Sequence, residues 1–459
     1  MRFIYKTLLV IAAILLAAFT YFILVFAPLI TGYGAKDLCS CAYIGGQNEA
    51  DVIKNELGRG FKALGSYKLN PEDSSATGSI LGFAKTKAVY RKGLGCTLLR
   101  DKTESELRAE LPSIRIDQIN LSDTVLWPFG TMTEVYKGNE VDIAQLNKAI
   151  SNSFINNDPE KPNNQRAVVV VYKGQIVAEQ HHPDFGPFSS QIGWSMSKSI
   201  INTMFGVMVK KRGFNIYDPA PVPKWKDPND PRSKITTDQL LRMSSGLEWE
   251  EDYTKPSFAT KMLYNNADMG LYASMVDSEF EPNTKWYYSS GTSNILSRIL
   301  RLELGEDYLQ WPFKEIFYKI GVTSAFFEVD ASNAFVGSSY IWASPRDWAR
   351  LGLLYSNDGV WNGERILPEG WVEYTKTPSS TANQKHYGAQ FWLNAGEADN
   401  EFETWLPDCP RDIYSMNGYE GQRVFIIPSH DMVVVTMAQT DKGVFDMNAF
   451  LASVIESVK

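Results

Sequence analysis

The chain has 459 residues, a formal net charge of −8 and an apolar fraction of 44%. This length is too great for one compact core and suits two or three domains. The composition is that of a globular protein, and the acidic balance excludes the basic surface that nucleic-acid binding requires. Any membrane contact therefore needs a dedicated segment.

Such a segment stands at the start of the chain, where Thr7–Ala35 carries no charged side chain. About 20 apolar residues span a bilayer as a helix, whereas the apolar region of a secretory signal has about 7–15. The length, and the lack of a clear cleavage site, favour an uncleaved single-pass anchor over a signal peptide. Arg2 and Lys6 precede the helix, and only Lys36, offset by Asp37, follows closely. The positive-inside rule then predicts that everything after residue 36 is extracytoplasmic, either periplasmic or extracellular.

The four cysteines fit this topology: Cys39, Cys41, Cys96 and Cys409. An even number outside the cytoplasm permits disulfides. A bridge from Cys39 or Cys41 to Cys96 is the preferred pairing, because it ties the region after the anchor to itself, and buried free thiols are the alternative. Metal binding by the C-x-C pair is disfavoured, since no second pair or histidine lies nearby. We expect no metal and no cofactor.

We predict three parts: a stub and anchor (1–36), a small accessory region (37–124) and a large domain (125–459). In the accessory region we predict a helix near Glu49–Leu64 and a turn-rich stretch, SYKLNPEDSSATGS (66–79). Two apolar runs, SILGFA (79–84) and AVYRKGLGCTLL (88–99), are typical of strands. We assign no chemistry to this region.

In the large domain, Ala167–Gln180 contains two β-branched runs around Lys173-Gly174, which predicts a hairpin. Arg423–Pro428 and Met432–Ala438 predict a second hairpin near the end of the chain. The two hairpins indicate one antiparallel sheet built from both ends of the domain. Apolar spacing predicts the covering helices, at Asp142–Phe154, Ser197–Arg212, Thr237–Met243, Thr292–Leu304, Pro345–Asp358 and Phe445–Val458.

Ser195 and Lys198 form the first candidate site, within Gly193-Trp194-Ser195-Met196-Ser197-Lys198. Ser195 stands at a predicted helix start, and Lys198 lies one turn later on the same face. A lysine near the positive end of a helix, and partly desolvated, loses some of its preference for the charged form. A neutral amine can then take the proton of the hydroxyl. The alternative is an ordinary helix cap followed by a surface lysine.

Two further segments carry candidate residues. Tyr288 precedes a predicted helix start in Trp286-Tyr287-Tyr288-Ser289-Ser290, where a phenol can relay a proton. Asn417, Gly418 and Tyr419 precede the Arg423–Pro428 strand, and glycine there lets the backbone approach a substrate closely. The alternatives are an aromatic side chain packed against a helix end and an ordinary turn.

Together the three segments resemble the serine β-lactamase and penicillin-binding-protein superfamily. The flanking text LLRMSSGLEW (240–249), WASPRDWARLGLLYSNDGVWNGERILPEGWV (342–372) and GYEGQRVFIIPSHDMVVV (418–435) resembles the class C β-lactamase-like hydrolases, nearest to the aminohexanoate-dimer hydrolases and related esterases. The resemblance covers about residues 125–459. It implies an α/β fold, with an antiparallel sheet flanked by helices and a helical subdomain.

The resemblance also implies roles for matching residues. Ser195 matches the acylated nucleophile, Lys198 the general base and Tyr288 the proton-transfer tyrosine. The oxyanion hole of the family uses the N–H of the nucleophile and one from the strand edge, which here are those of Ser195 and Tyr419. Gly418 and Asn417 match the substrate-binding strand edge.

Two departures from the superfamily affect the substrate. Met416-Asn417-Gly418 lacks the cation with which β-lactamases and peptidases hold a substrate carboxylate, and Ser290 stands where β-lactamases often have asparagine. We therefore expect a small neutral ester or amide as the substrate. A penicillin-binding-type D-peptidase, a β-lactamase and a non-catalytic binding protein on the same fold are the alternatives.

A Ser-His-Asp hydrolase is a rival mechanism. Gly193-Trp194-Ser195-Met196-Ser197 misses G-x-S-x-G at its last position. None of the histidines has the context of a catalytic base; they are His181, His182, His386 and His430. A metal hydrolase is disfavoured because no H-E-x-x-H spacing occurs. The oligomeric state is left open.

Overall fold

The computed structural model describes residues 2–110, 119–156, 158, 160–382, 385–396 and 404–459. The helices are α1 (Arg2–Tyr21), α2 (Ala27–Tyr43), α3 (Glu49–Asp51), α4 (Glu104–Ala109), α5 (Ile143–Ser153), α6 (Met196–Arg212), α7 (Thr237–Leu241), α8 (Phe258–Asn265), α9 (Met269–Ser274), α10 (Ser290–Leu304), α11 (Pro345–Ser356), α12 (Trp371–Lys376) and α13 (Met447–Ile455).

The strands are β1 (Ser66–Asn70), β2 (Ser75–Ile80), β3 (Phe83–Arg91), β4 (Gly95–Leu98), β5 (Gln165–Tyr172), β6 (Gln175–His181), β7 (Gln191–Ile192), β8 (Phe326–Phe327), β9 (Ile341–Ala343), β10 (Val360–Trp361), β11 (Glu364–Arg365), β12 (Trp392–Leu393), β13 (Tyr414–Asn417), β14 (Arg423–Ile427) and β15 (Met432–Ala438).

The chain forms two compact units. Unit 1 comprises Met1–Pro112, Trp249–Ala273 and Glu328–Ala334, and unit 2 comprises Ser113–Glu248, Ser274–Phe327 and Phe335–Lys459. The predicted division at residues 36 and 124 stays a prediction.

Unit 1 is organised around α2, which packs against a four-stranded antiparallel sheet of order β1-β2-β3-β4. The helix is buried from Leu29 to Cys41. Lys36 Nζ lies 2.5 Å from Glu328 Oε2, and both side chains are buried. Cys39 is disulfide-bonded to Cys96 of β4, which is one of the two pairings that we preferred. The chain that follows α1 is therefore the core of a folded unit.

The helix from Phe3 to Tyr43 is long and apolar enough to span a membrane, although a helix near the N-terminus with these properties also fits a signal sequence. Its first part, α1, is exposed. A π-helical turn, Phe22–Phe26, joins α1 to α2, and burial in unit 1 begins at Ala27. One continuous helix thus has an exposed apolar part and a part buried in protein.

Four local predictions for unit 1 are wrong in part. The run AVYRKGLGCTLL is not one strand, because it contains the end of β3, a turn and β4. The run SILGFA is not one strand, because Ile80 pairs with Phe83 and the residues between them form a two-residue turn. The stretch predicted as turn-rich contains β1 and most of β2, which pair with each other. The helix predicted near Glu49–Leu64 runs from α3 through a π-helical turn to Leu57 and then breaks, and a separate 3-10 turn starts at Gly60, which adopts a positive φ of 58°.

Unit 2 contains a six-stranded antiparallel sheet of order β12-β13-β14-β15-β5-β6. β15 pairs with β5, with Val434 opposite Val170. Strands from both ends of the domain therefore meet in one sheet, and this prediction is confirmed.

Helices cover both faces of this sheet. Val168 and Val170 of β5 belong to a core shared with α5 and α13. On the other face, α11 approaches so closely that a Cβ on Gly352 would lie 2.5 Å from Val433 Cγ1. Glycine at this position therefore allows the helix to pack directly on the strands.

Helix α6 is buried along most of its length, from Met196 to Met208. Its central polar side chain, Asn202, donates to Ala389 O at 2.9 Å and accepts from Tyr355 Oη at 2.7 Å and Trp371 Nε1 at 3.0 Å. Buried polar groups satisfied in this way hold an element in a single position. The start of α6 is consequently fixed with respect to the rest of unit 2.

Candidate active site

Ser195 lies between β7 and α6, directly before the first residue of the helix. Trp194, before it, adopts a left-handed backbone with φ of 46°, which is uncommon for a residue other than glycine. Such strain is concentrated at functional sites. The Ser195 side chain makes no capping hydrogen bond to the helix. The role of an ordinary helix cap therefore does not describe this serine.

The amine of Lys198 reaches back to Ser195. Nζ donates to Ser195 Oγ at 3.1 Å, to Ser290 Oγ at 3.1 Å and to the carbonyl oxygen of Ser338 at 2.9 Å. The side chain is only 1% exposed. Among the described residues, Lys198 is the hydrogen-bond partner of the Ser195 hydroxyl. The three oxygens that hold the amine are uncharged and come from three segments of unit 2.

Tyr288 completes the predicted group. Lys198 Nζ lies 4.9 Å from the centroid of the Tyr288 ring. The ring packs against Tyr387 and Trp392, with centroids 6.0 Å and 5.4 Å away. Ser289 caps α10 by accepting from the backbone N–H of Thr292 at 3.0 Å, which fixes the chain just after the tyrosine. The structure thus brings Ser195, Lys198 and Tyr288 together.

Sequence reasoning missed Ser290, Ser338 and Asn294 as site residues. Ser290 and Asn294 lie one turn apart on α10. Ser290 accepts from Lys198, and Asn294 Nδ2 donates to Ser338 Oγ at 3.0 Å. The Tyr288-Ser289-Ser290 spacing was a signal for Ser290, whereas nothing in the sequence links Ser338 or Asn294 to Lys198.

The turn after β13 lies against the segment that carries Ser195. A Cβ on Gly418 would be 2.2 Å from the carbonyl oxygen of Gly193, so only glycine fits this approach. Tyr419 is 58% exposed, and its ring meets that of Trp194 at a centroid distance of 6.2 Å. Asn417 ends β13 opposite Arg423, and its Oδ1 is buried without a hydrogen-bond partner among the described residues.

Arg423 supports this turn. Its Nη1 donates to the carbonyl oxygens of Gly418 and Gln422, the latter at 2.7 Å. Burial lowers the pKa of Arg423 to about 10, and the interaction with Tyr288 opposes this shift. The guanidinium is therefore engaged with the backbone of the turn and lies near enough to influence Tyr288.

Among the described residues, no histidine forms a hydrogen bond with Ser195 or Lys198. His181 Nε2 contacts Glu179 Oε2 at 3.1 Å. The His386 ring packs on Trp286 and on Trp392, which itself contacts Tyr288, so His386 borders the aromatic residues of the site. His430 Nδ1 contacts Ser429 Oγ at 2.9 Å in the turn before β15.

This fold and arrangement agree with the comparison with protein families. The family model described as Beta-lactamase matches residues 166–454. The chain belongs to this family of hydrolases, which bears out the resemblance of its motifs.

Individual relatives are distant. The chain is 22% identical over 287 residues to the 6-aminohexanoate-dimer hydrolase of Paenarthrobacter ureafaciens, covering 59% of this chain and 72% of the relative. The structure of EstCE1, a hydrolase with promiscuous acyltransferase activity, matches with a TM-score of 0.55 and 14% identity, covering 69% of this chain and 99% of that one. A family VIII carboxylesterase matches with a TM-score of 0.52 and 14% identity, covering 71% and 98%. These structural likenesses support the same fold.

Proposed function

We propose that the protein is a serine hydrolase that cleaves a small ester or amide through a covalent acyl-enzyme on Ser195. The 3.1 Å hydrogen bond between Lys198 Nζ and Ser195 Oγ carries this proposal. In the reactive state Lys198 has lost one proton, so that its amine accepts this hydrogen bond and takes the proton of the hydroxyl as Oγ attacks the carbonyl carbon of the substrate. Tyr288 and Lys198 return that proton to the leaving alcohol or amine.

The tetrahedral intermediate needs donors for its negatively charged oxygen. We assign these to the backbone N–H groups of Ser195 and Tyr419. The close approach of Gly418 to Gly193 supports this pairing, because it holds the two backbone segments side by side. Water then attacks the acyl carbon and gives a proton to the same amine and phenol, which return it to Ser195 Oγ as the bond between Oγ and the acyl carbon breaks and the carboxylic acid leaves.

We propose that the substrate is a neutral ester or amide. Asn417 stands where many superfamily members carry a cation for a substrate carboxylate, and Nη1 of the neighbouring Arg423 is occupied by two backbone carbonyls. The named relatives include a hydrolase of an aminohexanoate dimer and a carboxylesterase, so both amides and esters are suitable candidates.

The first experiment is a screen of short-chain esters, short amides, D-amino-acid peptides and a chromogenic β-lactam. We expect ester or amide turnover, with little lactam turnover. Ser195→Ala should abolish turnover and labelling by a fluorophosphonate probe. Ser190→Ala is the control, since this hydroxyl makes a long 3.4 Å hydrogen bond outside the site, and it should retain both. A folded wild-type protein that neither turns over substrate nor labels would favour a binding role.

Tyr288 has a matched control in its neighbour. Tyr288→Phe should reduce kcat by about 10²–10⁴, the range for loss of a general acid–base group, with a smaller effect on KM. Tyr287, which is 42% exposed, provides the control Tyr287→Phe, and its kinetics should match the wild type. Equal kinetics for both variants would remove Tyr288 from the mechanism.

We also propose that α1 is an uncleaved single-pass anchor with the two units on the extracytoplasmic side. The disulfide Cys39–Cys96 supports an oxidising compartment. Cleavage near the end of the apolar segment, about residue 35, would remove buried residues such as Leu29 and Ile30 from the core of unit 1. Retention in the membrane pellet after carbonate extraction, together with the intact N-terminal mass, tests this anchor.

A further inference from the structure

The turn between β2 and β3 has an unusual composition for its geometry. Leu81 and Gly82 are its two central residues, with φ of 49° and 80°. Two-residue turns with positive φ at both positions favour asparagine, aspartate or glycine first, because a branched apolar side chain is strained there. Leucine therefore occupies a position where folding alone favours a polar residue.

Two other described turns of the same kind have a polar first residue. Lys173-Gly174 joins β5 to β6 with φ of 47° and 76°, and Asn362-Gly363 joins β10 to β11 with φ of 47° and 79°. Asn362 is a favoured residue, and Lys173, although not among the favoured residues, is polar and suits an exposed turn. Leu81 is the exception, and it is 79% exposed, with Phe83 next to it 54% exposed. Two large apolar side chains are thus presented to the surroundings at the tip of a hairpin.

This tip lies beside the exposed apolar helix. The Phe83 ring packs edge to face against the Phe19 ring of α1, with centroids 6.2 Å apart. Counted from Thr7, the first residue after Lys6, Phe19 is about 18 Å along the helix, at a rise of about 1.5 Å per residue. The hydrocarbon core of a bilayer is about 30 Å thick, so Phe19 lies in the outer half of it if the apolar helix spans it from that residue.

We propose that Leu81 and Phe83 insert into the outer leaflet of the same bilayer that α1 crosses. A lipid surface is the occupant that the observations favour, because the tip is continuous with an apolar helix whose residues are themselves exposed. The exposed Lys85, two residues further, suits the headgroup region, where lysine extends its amine to water and phosphate. A single helix leaves unit 1 able to turn and tilt, whereas a second contact point sets its orientation.

The test uses the full chain in nanodiscs that hold one protein each. Leu81→Cys is labelled with the environment-sensitive fluorophore NBD, and the native thiols Cys41 and Cys409 are buried. Glu72→Cys is the matched control, because Glu72 lies in the exposed turn between β1 and β2, at the opposite end of β2. We expect blue-shifted emission at position 81, and loss of most of it when the discs contain lipids spin-labelled near the glycerol. The label at position 72 should show neither effect.

Equal, water-like emission at both positions would overturn the proposal. A blue shift at position 81 without quenching by spin-labelled lipid would also overturn it, because protein rather than lipid would then cover the tip. A second variant guards against a perturbing label: Leu81→Asn suits the turn and should fold. With NBD at Lys85→Cys, this change should decrease the lipid quenching, and unchanged quenching would count against insertion of Leu81.

Discussion

Lys198 occupies the centre of the candidate site because three segments each provide an oxygen for its amine. Ser195 comes from the start of α6, Ser290 from the start of α10 and Ser338 from the chain before β9. The amine is therefore oriented by the fold rather than by its own flexible side chain. Preorganisation of this kind reduces what must be rearranged as a reaction proceeds.

Ser289 and Ser290 are adjacent but have different roles: Ser289 caps α10, and Ser290 accepts a hydrogen bond from Lys198. Ser290→Ala removes an acceptor of the buried Lys198 amine, and we expect kcat to fall about 10- to 100-fold, because leaving a buried donor unsatisfied costs about 1–3 kcal/mol. Ser289→Ala removes the cap of α10 and should lower the free energy of unfolding by about 1 kcal/mol, with a smaller fall in kcat than in Ser290→Ala because the Ser289 side chain makes no hydrogen bond to the Lys198 amine. Steady-state kinetics and thermal unfolding of both variants check this. Unchanged kcat in Ser290→Ala would show that two acceptors suffice.

At the scale of elements, periodic patterns predicted the helices and strands of unit 2 well. Ser197–Arg212 is observed as Met196–Arg212, and Pro345–Asp358 as Pro345–Ser356. The spacing of apolar residues did not predict which side chains hydrogen-bond to each other in the folded chain. The contact of Asn294 with Ser338 depends on the packing of α10 near β9, and no local spacing encodes it. In unit 1 the run SILGFA has the composition of a strand, so only the pairing of Ile80 with Phe83 identifies its turn.

An ion pair between Glu179 of β6 and Arg346 of α11 predicts that the stability of the fold decreases at acidic pH. Arg346 binds Glu179 through two nitrogen atoms. Burial alone would raise the pKa of Glu179, but hydrogen bonds from His181 and Arg346 outweigh it and lower this pKa from 4.5 to about 2. A carboxyl with a depressed pKa stabilises the fold above pH 4.5, and this contribution is lost as the pH falls towards 2.

Glu179→Gln should therefore lower the free energy of unfolding at pH 7 by roughly 3 kcal/mol, and the difference from wild type should narrow at pH 3. Chemical denaturation at the two pH values measures this. Glu140→Gln is the control, because Glu140 is 45% exposed and pairs with the exposed Lys173. A constant difference between wild type and Glu179→Gln from pH 7 to 3 would contradict the assignment.

At the scale of the whole molecule, one apolar segment of the sequence has an exposed part and a part that is buried in protein. Thr7–Ala35 looks uniform in sequence, because hydrophobicity does not distinguish burial in lipid from burial in protein. The structure separates the two: α1 is exposed, and the helix from Ala27 onward is packed against the sheet of unit 1. The predicted anchor thus includes residues that belong to a protein core, which no pattern in the sequence indicates.

Two truncations distinguish these parts. A chain that starts at Ala27, secreted into an oxidising compartment, should lose membrane attachment and keep unit 1 folded. A chain that starts at Lys36 also loses Leu29 and Ile30, each contributing about 1.5–3 kcal/mol of burial, and unit 1 should unfold. Protection of the Cys39–Cys96 disulfide from mild reductant reports the fold of unit 1. Equal protection in both chains would show that residues 27–35 are dispensable.

If α1 is the anchor that we propose, the unbroken helix from Phe3 to Tyr43 also affects how the protein could be released from the membrane by proteolysis. Proteases that shed ectodomains cut accessible, irregular chain close to the bilayer. Here the backbone is helical through the π-turn Phe22–Phe26 and buried from Ala27 onward, so no such stalk separates α1 from the buried part of unit 1. A sheddase would first have to unfold unit 1 locally, and the intact protein should therefore remain cell-associated.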